Sequence, residues 1–386
     1  MRQPDQLIFL DRLLTMVRSN TRDDAPSVSH APVEEYFDPL RYRQEVGLFF
    51  RRYPVVVAFS DQLRKAGDFA THDATGQPIL LVRGSDGVLR AFLNVCRHRS
   101  ATVEGKACGS GKRAFVCPYH GWSYDLTGRL LGITDGQAFG KIDRPSHGLR
   151  PLAVAEKYGL VWVVPTALET AEQATIDIDG FLGTVQPDLA EWDLASWSLH
   201  TSVAIRPRMN WKLVVDTFLE QYHFRFAHSG SVARLFLDNI AAFEQMGPHM
   251  RVAAAKRSLT ELVTRPRENW RIREHAVVLY QLFPNTVLIY GQDHCSVFTT
   301  FPVSVEESVM QLTLLVDPHE RQRKPESYWK ATGDLLQTAL AEDFAIAENI
   351  QRNFHSGAND RQTFGKFEKA LGWYHHEIDR ALAAEA

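Results

Sequence analysis

Residues 94–122 read NVCRHRSATVEGKACGSGKRAFVCPYHGW. Cys96 and His98 flank one residue, Cys117 and His120 flank two, and 18 residues lie between the two pairs. Each pair follows a short β-type run, VLRAFLNVC in one case and AFVC in the other. Two hairpin tips can therefore approach each other and present one thiolate and one imidazole apiece. Three readings compete. A [2Fe–2S] cluster with two thiolates on one iron and two imidazoles on the other uses this supply. A tetrahedral zinc ion takes the same four side chains, although zinc fingers usually keep the cysteines in one half and the histidines in the other. The third reading is four unconnected residues. The mixed halves favour two irons side by side. Pro118 and Gly121 suit the tight turn that a buried cluster needs, and Trp122 is placed to cover it.

Outward from this stretch the chain is rich in strands and turns. PILLVR, GSDG and VLRAFLNVC form a hairpin signal that leads straight to Cys96. WSYDLTGRLLG is a second hairpin around its Thr-Gly turn, and GLVWVVP (159–165) closes the region. The N-terminal MRQPDQLIFLDRLLTMVR has acids inside its apolar run, so it reads as an amphipathic helix and not a signal peptide. The polar stretch NTRDDAPSVSHAP (20–32) suits a connector or surface arm.

Bulk composition excludes several classes. The chain has 386 residues, 45% hydrophobic and 23% charged, with a net charge of −3, which is ordinary for a globular protein with ample core. No basic footprint for nucleic acid is visible. The longest apolar runs are strand-sized and too short to cross a bilayer. Four cysteines (Cys96, Cys108, Cys117 and Cys295) do not make a disulfide framework in a chain of this length. The expectation is a cytoplasmic protein.

A second constellation lies in NWKLVVDTFLEQYHFRFAHSGS (210–231). On a helix, Asp216, Glu220 and His223 share one face at i, i+4 and i+7. Two acids and an imidazole inside so apolar a segment are costly unless metal or hydrogen bonds satisfy them. His228 falls off that face, so the helix is expected to bend or end near Arg225–Ala227, letting the two imidazoles converge. Two histidines and one carboxylate form the facial triad of non-haem iron oxygen activation. The carboxylate is sought in YWKATGDLLQTALAEDFAIAENIQRNF (328–354), where Asp343 occupies a slot in an otherwise apolar stripe with Leu336, Leu340, Ala347, Ile350 and Phe354. Glu342 is its rival on the neighbouring face, and a solvated helix edge is the bland alternative. His294 and Cys295 read as sheet residues, and His355, His375 and His376 as surface residues.

The stretches CRHR…CPYHGWSYDLTGRL and Glu220-x2-His223-x4-His228 together resemble the α subunits of ring-hydroxylating oxygenases, the Rieske non-haem iron oxygenases. The resemblance covers roughly residues 40 to 380. It implies an α+β protein in which an all-β Rieske [2Fe–2S] domain accompanies a helix-grip (START-like) catalytic domain with an antiparallel sheet. The division expected is 1–45 for the N-terminal helix and arm, 46–165 for the Rieske domain and 166–386 for the mononuclear iron domain. It implies that Cys96, His98, Cys117 and His120 hold the cluster, and that His223, His228 and Asp343 hold one Fe(II). Glu220 becomes the bridge that carries electrons across a subunit boundary, with Asn210 and Asp216 in support. The family often has Asp in place of Glu220.

The same resemblance implies a homotrimer, with a β subunit possible, and neither membrane nor nucleic-acid partners. An NAD(P)H reductase, with or without a ferredoxin, must supply electrons, since no Gly-x-Gly-x-x-Gly fingerprint is present. O2 and a small molecule, most often aromatic or otherwise apolar, are the substrates, giving hydroxylation, dihydroxylation or oxidative demethylation. The Phe-rich FRF (224–226) and LFLDNIAAF (235–243) fit that choice, and FPNTVLIYG (283–291) resembles the strand lining the family's pocket. The alternative is a Rieske-type electron carrier or a zinc-stabilised binding module without oxygenase activity.

Overall fold

The computed structural model describes residues 1–170 and 175–385. It divides into two compact units: Gly47–Phe181 with Leu194–Ser196, and Met1–Val46 with Leu182–Asp193 and Trp197–Ala386.

The first unit is built on a seven-stranded sheet with antiparallel neighbours. Its order is Val55–Phe59, Leu160–Ala167, Pro151–Lys157, Leu89–Leu93, Ile79–Arg83, Phe69–His72 and Cys108–Gly109. Alternation along Ile79–Arg83 splits its side chains between two cores. Leu80 and Val82 join Phe69, Phe92, Cys96, Phe115, Cys117 and Trp122 on one face. Ile79 and Leu81 join Leu63, Val161 and Val163 on the other. The first face is the bed on which both cysteine loops rest. A three-stranded sheet, Ala114–Val116, Ser123–Asp125 and Leu130–Gly132, delivers the second loop between its first two strands. Both expected hairpins are present, with Arg83 paired to Leu89 and Ser123 to Gly132.

The second unit has a seven-stranded antiparallel sheet. Six strands, from Phe236–Met246 through His249–Lys256, Ala276–Leu282, Thr286–Tyr290 and His294–Ser304 to Glu307–Val316, follow one another as a meander, and Ser198–Ile205 pairs with the last of them. Helices Gln3–Ser19, Trp211–Asp216, Phe224–Ala227, Glu326–Phe354 and Lys369–Ala383 belong to the same unit. The long helix Glu326–Phe354 follows Pro325 and buries Trp329, Gly333, Leu340, Phe344, Ala347 and Gln351 at helical spacing.

The segment 210–228 is not one helix with a late bend. It is helical over Trp211–Asp216, leaves the helix at Thr217 and resumes at Phe224–Ala227. The start is fixed by Asn210, whose Oδ1 accepts the Lys212 N–H at 3.0 Å. Within the interruption the backbone has a side-chain partner. The Glu220 carboxylate accepts the backbone N–H groups of Tyr222 and His223, an alternative to the helical ladder.

The short helix Trp211–Asp216 is anchored by a buried ion pair. Lys212 Nζ lies 2.7 and 2.8 Å from the Glu45 oxygens and 2.8 Å from the Glu35 carbonyl, with both charged side chains fully enclosed. Trp211 Nε1 and Arg41 Nε also donate to Glu45. Removing one partner strands a buried charge, at a cost of about 3–5 kcal/mol. Lys212→Met is therefore expected to lower the guanidinium unfolding midpoint sharply. Lys212→Met combined with Glu45→Leu is expected to recover much of the loss. A single variant within 1 kcal/mol of the parent would contradict this account of the pair.

Candidate metal centres

The two cysteine loops are built alike. The Cys96 carbonyl accepts from Ser100 N–H at 3.0 Å and the Cys96 N–H donates to Ala101 O at 2.8 Å. The Cys117 carbonyl accepts from Gly121 N–H at 3.0 Å and the Cys117 N–H donates to Trp122 O at 2.8 Å. Ser100 and Gly121 close the loops with φ of 60° and 72°. At Gly121 a Cβ would lie 2.5 Å from Thr134 Oγ1, so both space and conformation demand glycine. Such loops point a cysteine and a histidine inward from each strand end. The imidazoles of His98 and His120 come within 4.6 Å, centroid to centroid, and Trp122 stacks on His98 at 5.1 Å and 8°.

The donor set fits a cluster. Cys96 and Cys117 are buried and unbridged, and His98 Nδ1 is buried without a hydrogen-bond partner. Tyr124 Oη stands 3.3 Å from Cys96 Sγ and accepts the Arg97 N–H at 2.9 Å, which fixes the first loop from below. Desolvation, with the like charges of His120 and Arg99, lowers the pKa of His98, which favours a neutral imidazole. Cys108 sits apart, exposed on the edge strand Cys108–Gly109.

In the second unit His223, His228 and Asp343 converge, with one donor atom from each lying within 4.8 Å of the others. Asp343 Oδ1 is 3.3 Å from His223 Nε2 and 3.0 Å from His228 Nε2. The 3.3 Å approach is an ion-pair distance without hydrogen-bond geometry, and His223 Nε2 is a buried atom lacking a directed partner. Two lone pairs facing one carboxylate oxygen fit a shared cation. Burial alone would lower the pKa of His223, but Asp343 and Glu220 outweigh it and push it up to about 9. Burial raises Asp343, and the two histidines reverse this to a net lowering.

Each imidazole is also held from behind. Glu220 Oε1 contacts His223 Nδ1, and Glu342 Oε2 lies 2.7 Å from His228 Nδ1. Glu342 thus faces the back of His228 and is not part of the converging set. A cavity of about 230 Å³ opens beside the centre, with Asp216, Glu220, His223, Asp343, Ile346 and Glu368 in its wall.

The reading of the histidines fails at one position. His375 is buried, 4% exposed, not a surface residue: its Nε2 lies 2.9 Å from Tyr36 Oη and 3.1 Å from Asp216 Oδ1. Tyr36 Oη also donates to Asp216 Oδ2 at 2.7 Å. The three partners come from distant parts of the chain, so no local pattern announces them. His355 and His376 are exposed as expected, and Cys295 is buried within its strand. Sequence reasoning missed Gln221, two residues before His223. It is 6% exposed, and neither polar atom of its amide has a partner.

One unit with paired Cys/His loops on β-strands, and another with a helix-flanked antiparallel sheet carrying a His–His–Asp centre, together define the class as a Rieske-type terminal oxygenase. Comparison with known proteins agrees. The family model for the ring-hydroxylating α subunit (catalytic domain) matches residues 194–384, and that for the Rieske [2Fe–2S] domain matches 53–142. The chain belongs to this family of Rieske oxygenases and is an enzyme of that type. It is 26% identical to the glycine betaine monooxygenase oxygenase subunit of Pseudomonas aeruginosa, over 97% of this chain and 95% of that one. It is 35% identical to the subunit of the same name from Chromohalobacter salexigens, over 51% of this chain but only 42% of that relative's length. The fold is similar to that of the quaternary ammonium Rieske monooxygenase CntA, with a TM-score of 0.79, 22% identity, and coverage of 92% of this chain and 96% of that one. The cofactors are those of the family, one Rieske [2Fe–2S] cluster and one mononuclear iron, with electrons arriving through a partner reductase. The match over 194–384 removes the pure-carrier and zinc-module readings. Among the described residues no helix is long and apolar enough to cross a membrane.

Proposed function

We propose that this chain oxidises a quaternary ammonium compound at a carbon bonded to the charged nitrogen. One oxygen atom of O2 enters that C–H bond. The other leaves as water, taking two electrons and two protons. The carbinol then loses its hydroxyl proton to solvent as its C–N bond breaks, giving an aldehyde and a tertiary amine, formaldehyde being released when a methyl group is attacked. The observation that carries this reading is the full-length similarity to a glycine betaine monooxygenase subunit. The aromatic or otherwise apolar substrate expected from the resemblance has no counterpart in the names of the relatives described above.

The surroundings of the centre support a cationic substrate. Asp216, Glu220, Asp343 and Glu368 line the adjoining cavity, and no Lys or Arg does so among the described residues. This acidic field favours a cation. Phe364 adds an aromatic ring to the wall of that cavity. Aromatic faces of this kind bind trimethylammonium groups.

In this reading Cys96, His98, Cys117 and His120 hold the cluster, and His223, His228 and Asp343 hold the iron. When bound there, the cluster would supply stored electrons and the iron would supply the site of O2 activation. Glu220 orients His223 and, in a homotrimer, links it to a neighbouring copy. The chain's other task is positioning, since misplaced reactants lose most of the advantage of a shared site. The test is O2 uptake with a generic reductase, against glycine betaine, carnitine and choline beside aromatic acids and polycyclic compounds. Uptake with an ammonium compound, matched by aldehyde release, is expected. Uptake with aromatic compounds alone overturns the substrate assignment and leaves the oxygenase assignment standing.

A further inference from the structure

We infer that Glu342, held by Ser231, is the positioning residue that secures His228 as an iron ligand. The inference rests on the proposed iron site but not on the substrate. Asp343 and Glu342 are consecutive on the helix Glu326–Phe354, so their side chains leave it about 100° apart. Asp343 takes the Nε2 side of His228 at 3.0 Å, while Glu342 takes the Nδ1 side at 2.7 Å. The imidazole is thus gripped along its length by two neighbouring acids of one helix.

Glu342 is not a loose surface carboxylate that happens to swing by. Its Oε2 also accepts the Ser231 hydroxyl at 2.5 Å. Ser231 and His228 are both buried and belong to the same turn, in which the Ser231 N–H donates to the His228 carbonyl at 3.0 Å. One oxygen therefore ties the ligand-bearing helix to the ligand-bearing turn. With Glu342 accepting at Nδ1, the proton of a neutral imidazole sits there and Nε2 is left with its lone pair for metal. Partners of this type fix tautomer and ring orientation and raise ligand basicity.

Glu342 and Glu220 thereby have parallel contacts and different duties. Glu220 grips His223 and lines the open cavity. Glu342 grips His228 and is absent from that wall. The two should separate by phenotype: loss of Glu342 loosens iron, whereas loss of Glu220 interrupts turnover with iron in place.

The test is Fe(II) affinity, measured by chelator competition on protein stripped of mononuclear iron but retaining its coloured cluster. Glu342→Gln and Glu342→Ala are expected to bind Fe(II) roughly 10- to 100-fold more weakly than the parent. Glu342→Asp is expected to recover part of that loss, and Ser231→Ala to weaken binding less than either. The cluster spectrum and its reduction by dithionite should stay unchanged in every variant, which reports an intact fold. Fe(II) affinity within twofold of the parent in both Glu342→Gln and Glu342→Ala overturns the inference. So does equal weakening in Glu342→Asp and Glu342→Ala, which would mark a packing defect. Failure of every substrate in the O2-uptake panel leaves this measurement untouched.

Discussion

Glu220→Gln is expected to lose turnover by roughly 100-fold while keeping both metals. The wild-type carboxylate accepts three N–H groups from one short segment: the backbone of Tyr222, the backbone of His223 and the His223 ring. That preorganised arrangement needs an acceptor on both oxygens. An amide keeps the shape but turns one acceptor into a donor, which then opposes an N–H. The His223 ring loses its fixed orientation and its link toward the cavity. Because His223, His228 and Asp343 are untouched, iron content at saturating Fe(II) and the rate of cluster reduction should match the parent. Stopped-flow reduction of the cluster, beside steady-state O2 uptake, separates the two effects. Unimpaired uptake in Glu220→Gln means that electrons do not pass this way.

Asp343→Ala is expected to abolish activity by a different route. It removes the one carboxylate that, among the described residues, approaches both imidazoles, leaving two neutral nitrogens to hold a divalent cation. Hard cations favour anionic oxygen, and a 2-His-1-carboxylate site without its carboxylate lacks one of three anchors. The variant should lose about one iron per chain and all turnover, yet keep the red-brown colour and sulfide of the cluster. Retention of the third iron in Asp343→Ala would reassign the ligand. Glu342 is poorly placed to replace it, because its carboxylate is engaged at His228 Nδ1 and Ser231.

Much of this was legible in the chain itself, and for identifiable reasons. The Cys/His loops follow strands whose alternation and turn residues are local signals, so the cluster bed could be inferred from residues 79–125. The long helix around Asp343 is likewise a pattern of spacing. What escaped depends on side-chain contacts that spacing alone does not show. The apolar spacing of residues 211–222 continues as if one helix ran through, yet the helix ends at Asp216, and the Glu220 carboxylate then takes the backbone N–H groups of Tyr222 and His223. His375 looks like one of two surface histidines in a helix until Tyr36 and Asp216 arrive from more than 150 residues away. Glu342 and Asp343 are adjacent acids whose roles differ only because His228 lies between their two directions. The Gln221 amide announces itself only by lacking partners in a buried place.

The arrangement also shows how one chain separates two tasks. Cluster residues sit on loops closed by their own backbone hydrogen bonds, which hold geometry with few side-chain contacts. The proposed iron-site residues sit on a broken helix and a long one, and two carboxylates hold the imidazoles from behind. The acidic residues around the proposed iron site are what the proposed cationic substrate would meet.

The most direct test is anomalous diffraction at the iron edge from crystals grown anaerobically. Two separate iron positions are predicted in each chain. One is a resolved pair bounded by the Sγ atoms of Cys96 and Cys117 and the imidazoles of His98 and His120. The other is a single atom bounded by His223 Nε2, His228 Nε2 and Asp343. A lone peak at the cysteine loops, a zinc-edge signal in its place, or iron bound away from Asp343 would contradict the account.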